Sequence, residues 1–265
     1  MSSLAVVAII AGVISLGCWV ASLITGDTSW VDRIWSIAPV IYLWVFAAYS
    51  HFDARTTVMA VLVTAWGIRL TFNFARHGGY TGTEDYRWAV LRSRMSKWQF
   101  WLFNLFFIVI YQNLLLVLIT LPGYTAQRHP GGFVVLDVVL AVAFLAFLAG
   151  EATADQQQWE FHARKASGQT STRFCTTGLF HYSRHPNYFF EQAQWWVIYL
   201  FGAVAAGSIL QPTIVGAVLL TLLFVGSTKF TESLTLSKYP EYADYQHTTS
   251  AQIPLPPKRR RTAAA

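Results

Sequence analysis

Seven apolar segments, at about 3–24, 34–50, 56–75, 98–121, 133–150, 188–207 and 209–226, govern what this chain can fold into. Each is near the ~20 residues that carry a helix across a hydrocarbon core, the second and fifth being the shortest. In lipid a backbone must satisfy its own hydrogen bonds, so the choice lies between helices and a closed barrel. The two-residue alternation of barrel strands is absent. The expected fold is therefore all-α and polytopic, with about seven transmembrane helices. Composition agrees. Of the 265 residues 54% are hydrophobic and only 12% charged, and the mean hydropathy of +0.41 lies outside the range of a soluble domain. The first segment has no basic run ahead of it and reads as a permanent helix, not a cleaved signal.

Basic residues set the orientation, because Lys and Arg are retained in cytoplasmic loops. One set of alternate loops holds 16 of the 19 Lys and Arg residues; the other holds Arg55 and Arg128, and Arg69 lies within a span. The N-terminus is expected outside and the C-terminus in the cytoplasm. The net charge of +6 reflects this bias and an attraction to anionic lipid at the cytoplasmic face. No basic groove interleaved with aromatics points to nucleic acid. Residues 1–253 read as one transmembrane domain whose cytoplasmic loops form a site, and 254–265 as a basic, disordered tail. Cys18 and Cys175 have neither disulfide nor metal-ligand spacing.

Polar residues enter the spans in a pattern. Asp32 and Arg33 stand at a cytoplasmic face, where pairing with each other is the plain reading and a substrate or proton role the sharper one. Arg69, Asn73 and Arg76 recur at i, i+4, i+7 and share a helical face. Residues 77–97 form a connection opened by Gly78-Gly79. Gln112 and Asn113 lie inside the fourth span, suited to interhelical hydrogen bonding. The fifth helix is expected to run past the membrane, with Glu151, Asp155, Gln158 and His162 on one face. At Gly178–Trp196, GLFHYSRHPNYFFEQAQWW, ionisable side chains run straight into an apolar segment, a costly placement inside a bilayer. Pro186 suits the first turn of a helix, which puts Asn187, Glu191 and Gln194 on one face. Arg76, Arg173 and Arg184 are candidates for an anion, and Asp155, Asn187 and Glu191 for ribose hydroxyls or an amide. No Gly-x-Gly-x-x-Gly or Walker pattern occurs, so any cofactor site is built from helices and loops.

On GLFHYSRHPNYFFE, with TAWGIRL, GEATAD and PEYADYQHTTSAQIP, the chain resembles the steroid 5α-reductase-like membrane family, most of all its bacterial branch of the domain-of-unknown-function 1295 type. The resemblance implies a bacterial inner-membrane protein with a cytoplasm-facing active site, which uses NADPH to reduce a carbon-carbon double bond of a lipophilic enone drawn from the bilayer. It implies cofactor-binding roles for Asn187, Tyr188, Glu191, Asp155 and Arg173, and for the Arg184-His185 pair of the Arg-His-Pro-x-Tyr run. Isoprenylcysteine carboxyl methyltransferases share that run, so S-adenosylmethionine-dependent lipid methylation is the alternative, and a non-enzymatic lipid-binding protein a third reading. The steroid reductases carry a Gln-Glu pair and a tyrosine against the substrate ketone; here Asp32-Arg33 and Trp66 stand nearest those positions. Asp32 is the candidate acid, which would have to be protonated, and Tyr111 a second candidate as a neutral donor. Phe190 occupies a position that is often glycine in the family.

Overall fold

The computed structural model describes residues 1–82 and 84–258, and among them every regular element is helical. The chain opens with α1 (Ser3–Thr25), capped by the Ser2 hydroxyl and ended at Gly26 in the left-handed region. Next come α2 (Trp30–Trp35), α3 (Ala38–Tyr49), α4 (Ala54–Arg76), α5 (Tyr86–Arg94) and α6 (Lys97–Phe103). A π-helical stretch, Asn104–Tyr111, leads without a break into α7 (Gln112–Arg128). The long α8 (Val135–Ala166) precedes a 3-10 turn at Gly178–His181, and α9 (Pro186–Ala206), α10 (Ile214–Lys238) and α11 (Tyr242–Thr248) complete the chain.

Among the described residues six helical stretches are long and apolar enough to cross a membrane: Ser3–Thr25, Trp30–Tyr49, Ala54–Arg76, Lys97–Arg128, Val135–Ala166 and Ile214–Lys238. The seventh expected span forms a 21-residue helix, Pro186–Ala206, but is not among the six. Asn187, Glu191, Gln192 and Gln194 in its first turns dilute its hydropathy. The extension of the fifth span is observed. At 32 residues α8 is about 48 Å long, well beyond a ~30 Å hydrocarbon core. The connection at 77–97 is not all loop, since α5 forms within it behind an Asp85 cap that accepts from the Arg87 N–H.

The chain divides into two compact units. The first comprises Met1–Ala143 with Trp195–Leu220. Its core is the packing of α3 on α4 and α7, where Tyr42, Phe46, Met59, Trp66, Leu115 and Ile119 are almost fully buried. At Gly216 an added Cβ would lie 2.4 Å from the Leu118 carbonyl oxygen of α7, the close backbone approach that small residues permit between membrane helices. Asp137 fixes the start of α8. It accepts the Val134 N–H at 2.8 Å and is gripped at both oxygens by Arg55, at 2.8 and 2.9 Å. Both partners of this ion pair are buried.

The second unit comprises Phe144–Gln194 with Thr221–Ala265, described to Lys258. The Leu255 N–H donates to the Tyr182 carbonyl at 3.0 Å and the Lys258 N–H to the Thr248 carbonyl at 2.8 Å, contacts that tie 254–258 to the rest of the unit. Residues 259–265 lie outside the described residues.

Candidate functional site

Within the second unit the polar stripes of α8 and α9 face one another. Asn187 Nδ2 donates to Asp155 Oδ1 at 3.4 Å, and Gln194 Nε2 to Glu151 Oε2 at 2.7 Å. Glu191 lies between these rungs on α9, and Glu151, Asp155, Glu191 and Gln194 are all buried. Three carboxylates and two amides thus form a ladder in the interior, a costly arrangement unless each group is hydrogen-bonded. The stripe fades along α8: Gln158 is half-buried and His162 exposed, because the buried face turns toward Phe161.

A small-for-large exchange allows the approach. Phe190 does not prevent close packing, because its ring lies over Gly150, where an added Cβ would meet ring carbons at 2.6 Å. The glycine that the helix pair needs is on α8, not α9. Phe147 sits against both Phe189 and Phe190.

The Arg184-His185-Pro186 turn is held by Glu232 of α10. Arg184 binds its carboxylate through Nε at 2.6 Å and Nη2 at 3.0 Å, the bidentate geometry that makes such pairs strong. His185 Nε2 lies 3.1 Å from the same carboxylate, and the Gln246 amide and the Tyr242 hydroxyl donate to it at 2.9 and 3.3 Å. Arg184 Nη1 donates further to the Gln246 and Thr249 carbonyls. Burial alone would lower the Arg184 guanidinium pKa, yet hydrogen bonding and charge from Glu232 hold it above its usual value. Burial likewise pushes the Tyr242 and Tyr245 phenols up.

The C-terminal segment closes over this turn. The Arg184 and His185 N–H groups donate to the Ser250 and Ala251 carbonyls at 2.8 and 3.0 Å, and the Ser183 hydroxyl to the Gln252 carbonyl at 2.6 Å. Tyr188 stacks on His185, with centroids 5.2 Å apart, and meets Phe224 of α10 at 4.7 Å. Arg184 and His185 therefore spend their polar groups on the protein itself, whereas Asn187 donates to Asp155 on the ladder. Arg173 lies elsewhere in the unit, with its guanidinium over Tyr239.

The remaining candidates belong to the first unit. Asp32 and Arg33 do not pair with each other. Arg33 bonds Asp27 at 2.6 Å and the Gly79 carbonyl at 3.0 Å, while Asp32 accepts from the Trp88 indole at 3.2 Å. Successive residues of a short helix point about 100° apart, which sends them to different partners. Arg76 Nε donates to Asn73 at 2.8 Å, one turn back on its own stripe. Trp66 is fully buried, edge-on to Trp195 at 5.0 Å, and its indole N–H has no acceptor. Tyr111 donates to the Leu219 carbonyl at 3.4 Å, a long bond. The expected interhelical role of Asn113 is not observed: its amide bonds back to Val109 at 2.8 Å, and it is Asn104 that reaches across to Ser22, at 3.0 Å.

Two contributors were missed in the sequence. Glu151 had appeared only as one member of a stripe, although an acid one turn from Asp155 at the membrane edge was a usable signal. Glu232 gave none, because His185 and Arg184, the residues it holds in the turn, are 47 and 48 positions away.

Six helices able to cross a membrane, and a buried polar ladder between two long helices, define a polytopic helical membrane protein. The chain belongs to the family described as "Protein of unknown function (DUF1295)", whose sequence profile matches residues 18–249. It is 39% identical over 250 residues to "Uncharacterized protein C594.04c" of Schizosaccharomyces pombe, covering 86% of this chain and 73% of that protein. No solved structure matches it.

Proposed function

We propose that the protein is an integral membrane oxidoreductase that uses NADPH to reduce a carbon-carbon double bond of a lipophilic enone. The observation that carries the reading is the α8–α9 ladder, in which Asn187 donates to Asp155 at 3.4 Å and Gln194 to Glu151 at 2.7 Å beside Glu191. Acceptor-rich side chains on apolar helices fit the hydroxyls of a ribose and the amide of a nicotinamide, groups that bring donors of their own. Arg173 supplies positive charge for phosphate in the same unit, whereas Arg184 is neutralised by Glu232 at 2.6 Å. The donor set thus fits a dinucleotide, with Arg184 and His185 supporting the turn.

When bound, NADPH supplies the hydride that reaches the β-carbon of the enone. Asp155, Asn187 and Glu191 orient its sugar and amide, and the apolar helices keep water away from the exchange. We assign the proton to Asp32, whose carboxylate accepts a hydrogen bond from the Trp88 indole, with Tyr111 and Trp66 as further candidate donors. We also infer that Pro186–Ala206 is the seventh span, that the N-terminus is outside, and that the site faces the cytoplasm, on the distribution of basic loops.

The reading is tested with purified protein, NADPH and a panel of lipophilic enones. Oxidation of NADPH should require the enone, should disappear in Asp32→Asn without loss of NADPH binding, and should weaken in Asn187→Ala through binding. No NADPH binding, together with saturable binding of S-adenosylmethionine, would replace this reading with the methyltransferase one.

A further inference from the structure

Three cations converge on one aromatic ring at the end of α10. The Lys238 and Lys165 ammonium groups lie 5.3 and 5.4 Å from the Tyr239 ring centroid, and the Arg173 guanidinium 5.8 Å from it. The chain folds back to build this cluster. After α8 ends at Ala166, the Gln169 N–H returns to the Arg164 carbonyl at 2.9 Å, Gly168 takes a positive φ of 74°, and Lys165 Nζ donates to the Arg173 carbonyl at 2.8 Å. Two cations separated in sequence are thereby brought side by side.

Among the described residues none of these three forms an ion pair. Several other cations of the chain do pair: Arg33 with Asp27, Arg55 with Asp137, Arg92 with Glu84 and Arg184 with Glu232. The acids nearest Tyr239 in sequence, Glu241 and Asp244, line a cleft of about 510 Å³ with Phe174, His181 and Tyr245. Attraction to a ring face is modest for an exposed cation and does not cancel repulsion among three like charges. Hydrogen bonding from Lys238 and the charge of Lys165 hold the Tyr239 phenol below its ordinary range, as an excess of positive charge requires. An anion removes that excess.

We propose that Lys165, Arg173, Lys238 and the Tyr239 hydroxyl form a binding site for a phosphate group. Two ammonium groups, a guanidinium and a phenol offer converging donors of the kind that phosphate oxygens accept. The phosphate comes from a nucleotide or from an anionic lipid headgroup. The inference stands without the reductase reading.

The test uses full-length detergent-purified protein and the triple variant Lys165→Gln/Arg173→Gln/Lys238→Gln, with Tyr239→Phe as a second variant that keeps the ring. Inorganic pyrophosphate should stabilise the wild type against heat, with an affinity about tenfold or more below wild type in the triple variant, as expected when charge-assisted hydrogen bonds are lost; chloride at matched ionic strength should do neither. The source is separated by two further arms. A matching loss of NADPH affinity assigns the site to a nucleotide. A loss of the stabilisation given by phosphatidylglycerol over phosphatidylcholine nanodiscs, with NADPH affinity unchanged, assigns it to lipid. If the wild type ignores NADPH while its pyrophosphate response still depends on the three cations, the reductase reading fails and this site stands. Equal responses of wild type and triple variant to pyrophosphate, NADPH and phosphatidylglycerol overturn it.

Discussion

Replacing Glu232 by alanine removes the acceptor shared by Arg184, His185, Gln246 and Tyr242, with contacts of 2.6, 3.1, 2.9 and 3.3 Å. Both side chains of the ion pair are only 9% exposed, so Arg184 would be left charged and largely buried. Breaking one side of such a pair costs ~3–5 kcal/mol. At ~2–4 °C per kcal/mol for chains of this size, the unfolding midpoint should fall by roughly 6–20 °C. Glu232→Gln keeps one acceptor and should cost about 1.5–3 kcal/mol, the range for hydrogen bonds to charged groups. Arg184→Met/Glu232→Met removes both charges and should be no less stable than either single change. The assay is thermal unfolding of the detergent-purified protein, followed by tryptophan fluorescence at one scan rate. A Glu232→Ala midpoint within about 2 °C of wild type, or a double variant whose loss equals the sum of the singles, would refute the role given to this carboxylate.

Other perturbations probe separate parts of the fold. Arg55→Met leaves Asp137 fully buried without its cation and should destabilise by ~3–5 kcal/mol, with most of the loss recovered by Asp137→Leu, read by the same unfolding assay. Gly150→Ala places a methyl group 2.6 Å from the Phe190 ring and should cost about 1–3 kcal/mol despite the better helix propensity of alanine; Phe190→Leu should relieve it, and an unchanged midpoint in Gly150→Ala would exclude the close approach of α8 and α9. Asp155→Asn and Asn187→Ala should each weaken NADPH binding by about tenfold, the loss expected for one hydrogen bond to a ligand; isothermal titration would measure it.

What could be read from the chain follows the range of the interactions. The spans were legible because twenty apolar residues act locally, and Pro186 located the start of α9 because its ring fixes its own φ. The three-to-four-residue period put Asp155 and Glu191 on polar faces, and the structure turns those faces toward each other. Arg184 looked like a free cation because Glu232 lies 48 positions downstream, and Asp32 looked like the partner of Arg33 because Trp88 lies 56 positions away. Hydropathy does not place α9 beside the six other stretches, since a buried polar face dilutes the average without preventing a helix. The contacts of 254–258 were equally hidden, the proline-rich sequence giving no sign of Tyr182 and Thr248 as partners.

We propose that the acid-and-amide face of α8 and α9 holds a phosphorylated nicotinamide nucleotide. The most direct measurement compares thermal stabilisation of the purified protein by NADPH, NADH and S-adenosylmethionine, in wild type and in Asn187→Ala. A ligand at about one hundred times its dissociation constant adds ~2.7 kcal/mol to the folded state. NADPH should give a clear upward shift, NADH a smaller one and S-adenosylmethionine none, and the NADPH shift should be reduced in Asn187→Ala. A shift with S-adenosylmethionine alone, or an NADPH shift that Asn187→Ala leaves intact, would contradict it.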